Sequence, residues 1–141
     1  MTVHALYQEL IVLHGKRPHH KGTLPAPSHA ATIDNPLCGD VVTMQLAMEG
    51  ERITDVAHTG HGCTLSIAAS SVLADRLIGL TLVEARALIA AFETMIATEP
   101  DAPDRADELG PLAAFAGVRA FRSRRACATL AARAVSRALT R

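Results

Sequence analysis

Between residues 41 and 59 the chain carries a period-two pattern broken by a single turn, and this pattern limits the fold more than any other feature. Val42, Met44, Leu46 and Met48 alternate with the more polar Thr43 and Gln45, so residues 41–48 read as a half-buried strand. Glu49, Gly50 and Glu51 make a turn, and residues 52–59 read as a second strand of weaker alternation. The pair most simply forms an antiparallel hairpin centred near Gly50. A hairpin with that centre pairs positions whose numbers sum to about 100. Cys38 and Cys63 are therefore expected side by side at its open end.

Helical periodicity fills most of the remaining chain. Val3, Leu6, Tyr7, Leu10 and Leu13 share one face of an N-terminal helix that Gly15 and Pro18 should end. Residues 15–35 are rich in His, Pro, Gly and Ala without periodicity and read as a surface loop, on which His19, His20 and His29 are expected to be solvated. A helix follows Cys63 through Leu65, Ile67, Val72, Leu73 and Leu77, ending near Gly79. Thr81 and Glu84 have capping-box spacing and open a helix through Leu88, Ile89, Phe92 and Ile96. Residues 99–108, with two prolines and five acids, read as an exposed loop. Residues 109–118 read as a short helix broken by Gly110, Pro111 and Gly117. A last helix is expected to begin near Cys127 with Leu130, Ala131, Ala134, Val135 and Ala138 on its apolar face and Arg133, Arg137 and Arg141 outward.

These elements define an α+β fold, a small antiparallel β-sheet with helices packed on one face. A third strand has to come from the neighbourhood of Ile33, where the pattern is weak. With 141 residues, 14 basic and 14 acidic side chains, the chain is expected to be one neutral domain spanning 1–141. At 49% hydrophobic residues the core needs no disulfide support. Four aromatic residues and no Trp argue against a stacking platform for single-stranded nucleic acid, and the balanced charge against nucleic acid generally. Residues 1–20 lack the apolar core of a signal peptide and no stretch has membrane-span character, so a cytoplasmic protein is expected.

Three cysteines, Cys38, Cys63 and Cys127, cannot close a full disulfide framework and point to thiol or metal chemistry in a reducing compartment. A lone buried Cys is otherwise simply a small hydrophobe. Cys63 and Cys127 are both expected at helix N-termini, where the dipole favours thiolate. Asp40, two residues after Cys38, can turn its carboxylate toward the same point, and a set of three thiolates and one carboxylate suits tetrahedral Zn2+. There is no CxxC pair, so such a site depends on tertiary convergence. Seven arginines and no acid occupy residues 119–141 and read as a solvated helix face or a docking patch for an acidic partner. Ser66, Ser70 and Ser71 lack the His and Asp context of a hydrolase triad.

Asn35-Pro36-Leu37-Cys38-Gly39-Asp40, Gly60-His61-Gly62-Cys63-Thr64-Leu65-Ser66 with Ala69-Ser70, and Arg124-Arg125-Ala126-Cys127-Ala128-Thr129-Leu130 together resemble the IscU-like (NifU N-terminal) family of iron-sulfur cluster assembly proteins. Tyr7 to Gly22, with His14, Lys16 and Pro18, is similar to the family's N-terminal helix and loop. Within the family the chain resembles the zinc-containing SufU branch: Ala126 stands where classical IscU scaffolds have a histidine, and 64 positions separate Cys63 from Cys127. His58 stands where relatives often have an aromatic residue, and His61 replaces an acidic one; His61 is also a candidate alternative ligand.

The resemblance implies an IscU-like fold and makes Cys38, Asp40, Cys63 and Cys127 the Zn2+ ligands, with Arg124 near the site. It makes Cys38 the acceptor of persulfide sulfur from a SufS-type cysteine desulfurase, an enzyme that uses pyridoxal phosphate, and implies a downstream iron-sulfur scaffold as recipient. The expected function is a zinc-dependent sulfurtransferase that stimulates that desulfurase. The alternative is a scaffold that assembles a [2Fe-2S] cluster on the same ligands, and a third reading is a structural zinc protein acting only as an interaction module.

Overall fold

The computed structural model describes residues 3–37 and 39–140. Helix α1 (Val3–Lys16) leads into a three-stranded antiparallel sheet of β1 (His29–Asn35), β2 (Asp40–Glu49) and β3 (Arg52–His61), in the order β1-β2-β3. Helices α2 (Thr64–Leu77), α3 (Leu82–Ala97), the single turn α4 (Ala106–Leu109), a 3-10 helix (Gly110–Ala120) and α5 (Arg122–Leu139) complete the chain. The fold is the α+β arrangement expected.

Alternation decides which sheet face is covered. Asp40, Val42, Met44 and Leu46 of β2 are buried, as are Ala31, Ile33 and Asn35 of β1. Helices α5 and α2 pack on these strands, α5 against β1 and β2 and α2 against β3. Ala131, Ala134 and Val135 of α5 and Ala68, Ala69 and Val72 of α2 are all buried against the sheet core, and the small alanines let the helix backbones approach it closely. A second layer joins α3 to the 3-10 helix, where Phe92 and Phe115 meet edge to face with centroids 6.1 Å apart.

The hairpin forms as its alternation requires, with Gly50 at φ 62° in the turn, a conformation that favours glycine. Pairing runs from Val41↔His61 to Glu49↔Arg52, with an irregularity between Ala47 and Met48. The free edge of β3 is closed by residues 20–22: His58 donates its backbone N–H to His20 and accepts from Gly22. That segment belongs to the stretch expected to be a featureless loop, and β1 also arises within it. Two small or medium apolar side chains facing inward, Ala31 and Ile33, suffice to seat β1 against α5.

Three boundaries differ from expectation. Helix α1 continues through Gly15 to Lys16 because α1 crosses the start of α2 there, and a Cβ at Gly15 would collide with the Thr64 side chain. Glycine serves close approach at this position, not termination. Residues 110–120 form one uninterrupted 3-10 helix, with Pro111 in its first turn, where a missing N–H is harmless. Helix α5 begins at Arg122, so Cys127 lies in its second turn and not at its N-terminus, and the helix-end argument for a thiolate does not apply to it.

Arg119 overturns the reading of the C-terminal arginines as one solvated face. It is 5% exposed and donates to the carbonyls of Ala102, Pro103 and Ala116 and to the Thr98 hydroxyl. Arg125 in turn donates to the carbonyls of Arg119 and Ala97. A rigid fork of donors thus satisfies a connector whose own carbonyls have no ladder to join. Arg122, Arg124, Arg133 and Arg137 remain exposed. No helix of the described residues is long and apolar enough to cross a membrane.

Replacing Arg119 by Met strands several acceptors and is expected to cost about 3 kcal/mol in urea unfolding. Arg122→Ala, at an exposed position, is expected to stay within about 0.5 kcal/mol of the parent. Limited proteolysis of the Arg119→Met protein should cut first within residues 99–105.

Candidate metal centre

The end of the β2–β3 hairpin and the start of α2 meet at one carboxylate. Asp40, the first residue of β2, is 1% exposed. Its Oδ1 accepts the backbone N–H of Cys63 at 2.8 Å, and its Oδ2 lies 3.4 Å from Cys63 Sγ. Cys63 is the N-cap of α2 with extended backbone (φ −72°, ψ 157°) and no side-chain cap of its own. Asp40 therefore supplies from a neighbouring strand the negative group that a helix N-terminus favours.

This contact fixes two glycines. Gly62 has φ 147°, and a Cβ there would collide with the Asp40 carboxylate. Gly60 has φ 142°, and its Cβ would collide with the Val41 carbonyl. The alternation Gly60-His61-Gly62 is thus the backbone requirement for β3 to pass Asp40 and deliver Cys63 to it. Upstream, Asn35 is buried; its side-chain oxygen accepts the Leu37 N–H and its carbonyl accepts the Gly39 N–H. This Asx-type turn gives Asn35, read from the sequence only as part of a motif, a definite structural role. The Asn-Pro dipeptide is the signal that marks it.

Cys127 reaches the same point from α5. It is 6% exposed on the apolar face of that helix, with Sγ 3.9 Å from the Ser123 carbonyl one turn earlier. One ligand atom each from Asp40, Cys63 and Cys127 lies within 4.8 Å of the others. Three of the four expected ligands therefore converge from three separate elements. Cys38, the fourth and the expected sulfur acceptor, lies outside the described residues. His61 is exposed on β3 and does not belong to the group. Arg124, three positions before Cys127, places its guanidinium 5.1 Å from the centre of the Phe121 ring.

The donor set is chemically selective. Two thiols and a buried carboxylate at mutual distances under 4.8 Å suit a tetrahedral, borderline-soft cation far better than Mg2+ or Ca2+, which take oxygen donors. A small, partly open pocket is lined by Val41, Gly60, His61, Ser66 and Ser70, beside the β2 and α2 ends that carry Asp40 and Cys63, and the Ser66 hydroxyl has no hydrogen-bond partner among the described residues. His58, buried beside it, donates Nε2–H to the His19 carbonyl, and burial holds its imidazole below its ordinary pKa.

Comparison with known proteins agrees with this architecture. The family model of the NifU-like N-terminal domain matches residues 6–128, and the chain belongs to that family. Over 136 residues it is 38% identical to the iron-sulfur cluster assembly scaffold protein IscU of Streptococcus pyogenes serotype M1, a match spanning 96% of this chain and 84% of that protein. It is 29% identical over 136 residues to the zinc-dependent sulfurtransferase SufU of Bacillus subtilis (strain 168), spanning 96% and 90% of the two chains. Among solved structures, the N-terminal part of a nitrogen-fixing NifU-like protein from Brucella abortus superimposes with a TM-score of 0.84 at 31% identity, covering 95% of this chain and 92% of that one. These relatives place the chain among iron-sulfur cluster assembly proteins of the IscU/SufU kind.

Gly62→Ala puts a methyl group against the Asp40 carboxylate in a left-handed conformation and is expected to cost about 2 kcal/mol or more in urea unfolding of the metal-free protein. Gly117→Ala, where a Cβ meets nothing within 4 Å, is the matched control and should be close to neutral.

Proposed function

We propose that this chain is a zinc-dependent sulfurtransferase that accepts persulfide sulfur on Cys38 from a SufS-type cysteine desulfurase and thereby stimulates that enzyme. The observation that carries the reading is the convergence of Asp40, Cys63 and Cys127 within 4.8 Å, a hard oxygen and two thiols around one point. Cys38 completes the set in this reading. The similarity to a protein named as a zinc-dependent sulfurtransferase over 96% of this chain supports it. So does Ala126, which leaves no nitrogen donor immediately before Cys127.

When bound, Zn2+ supplies charge that keeps coordinated thiols deprotonated, and it does no redox chemistry. The residues perform the rest. The Cys38 thiolate attacks the outer sulfur of the desulfurase persulfide; the new S–S bond forms as the old one breaks, and the enzyme's cysteine leaves as thiolate. No net oxidation or reduction occurs, and one sulfane sulfur has changed carrier. Asp40 anchors Cys63 through the backbone and its own carboxylate, so the set keeps two protein donors in register while Cys38 reacts. Leu37 beside it is 95% exposed, and Phe121 with Arg124 offers a second exposed apolar and cationic feature for a partner surface. Transfer onward to an iron-sulfur scaffold completes the proposed role.

A second reading, a scaffold that assembles a [2Fe-2S] cluster on the same ligands, is favoured by the 38% identity to a protein named as such a scaffold. Elemental analysis of the purified protein with a sulfide-release assay separates the two. Stoichiometric zinc in the parent, and stimulation of a SufS-type desulfurase that falls to the level of the enzyme alone in Cys38→Ala, are the expected results. Iron with acid-labile sulfide and its charge-transfer absorption would replace the first reading by the second. Zinc without stimulation would refute sulfur transfer and leave an interaction module.

A further inference from the structure

A second group of donors lies away from the cysteine centre, where the end of α1, the connector after it and the C-terminal half of α2 come together. His14 stands in the last turn of α1, His19 and His20 in the connector, and Asp75 on α2. One ligand atom each from His14, His19 and Asp75 lies within 4.8 Å of the others. Asp75 receives both connector imidazoles: His19 Nδ1 is 2.7 Å from Oδ2 and His20 Nε2 is 2.8 Å from Oδ1. The rings of His14 and His19 lie with centroids 4.5 Å apart, tilted by 51° to one another.

The arrangement is held by groups that do not belong to it. Buried Ser71 accepts the His19 backbone N–H at 2.7 Å, and its hydroxyl lies 2.6 Å from His14 Nδ1. Buried His58 donates its Nε2–H to the His19 carbonyl at 2.8 Å, and its backbone pairs with His20 and Gly22 on both sides. His20 adopts φ 62°, a conformation rare outside glycine, and this turns successive imidazoles onto the two oxygens of one carboxylate. A solvated histidine loop needs none of these constraints.

We propose that His14, His19 and Asp75 form a second metal site that takes a nitrogen-preferring divalent cation such as Zn2+, Ni2+ or Co2+, independent of the cysteine centre. Two imidazoles and a carboxylate are the donor class of these ions and not of Mg2+ or Ca2+. Ser71 and His20 occupy the outer positions that commonly orient metal-bound imidazole and carboxylate. An ion here ties α1 and the connector to α2 through residues 56 to 61 positions apart, so it stabilises the N-terminal layer of the fold.

The test uses the full chain without an affinity tag, stripped of metal and loaded with Co2+, whose thiolate and imidazole sites differ in absorption. After gel filtration the parent is expected to retain one more Co2+ per chain than the His19→Ala/Asp75→Asn double variant. The thiolate-to-cobalt charge-transfer band should be equal in both. Because both substituted residues are exposed, a matching circular-dichroism melt of the metal-free proteins is expected and serves as the folding control. Equal cobalt content in the two proteins, or loss of the extra ion together with the charge-transfer band, overturns the proposal. In the parent, the proton resonances of the His14 and His19 rings should shift with the extra ion, and unshifted rings overturn it independently of any variant. Failure of the cysteine centre to bind metal would leave this difference intact, so the two assignments fail separately.

Discussion

One buried carboxylate joins the sheet to the helices. Asp40 begins β2, is closed off from solvent, and accepts the N–H of the residue that caps α2. A carboxylate removed from water requires compensating donors, and the start of a helix supplies them in a fixed direction. That pairing determines where β3 must end, why Gly60 and Gly62 flank the crossing, and why Cys63 rather than a neighbour faces the site. The packing of α5 across β1 and β2 then brings Cys127 to the same point from the far end of the chain.

The consequence is a candidate metal centre whose three described donors, Asp40, Cys63 and Cys127, come from distant parts of the chain. A CxxC ribbon places its ligands within one turn, whereas here each ligand rides on a different element and the core sets their separation. Such a centre reports on the whole fold: α2, α5 and the hairpin have to be packed before the donors meet. Just before β2, the Leu37 and Gly39 N–H groups donate to the side-chain oxygen and the carbonyl of buried Asn35, which leads the chain into buried Asp40.

Much of this was legible because burial on one face writes a periodic signal. The alternation from Val42 to Leu46, the Thr81–Glu84 capping box with both of its hydrogen bonds, and the apolar face of α5 all appear where the pattern puts them. The failures share a cause, which is that tertiary contact reversed the usual meaning of a residue type. Gly15 reads as a stop but permits α1 to touch Thr64, and Arg119 reads as surface but satisfies a buried connector. The arginine-rich first turn of α5 has no capping residue, since Phe121 precedes it without a side-chain cap, so nothing in the sequence marks a start five residues before Cys127. His19 and His20 are exposed as expected, but nothing near them in sequence announces their pairing with Asp75, 56 and 55 positions away on α2. Asp40, Cys63 and Cys127 were legible as candidates through their types and through the resemblance, but their convergence is a property of packing alone.

The most direct measurement of the central claim is the alkylation rate of each cysteine, read peptide by peptide by mass spectrometry, with one equivalent of Zn2+ present and after chelation. The account requires that Zn2+ slow modification of Cys38, Cys63 and Cys127 together and that chelation release all three. Protection of only one or two of them, or rates indifferent to Zn2+, would contradict a single centre assembled from these three thiols and Asp40.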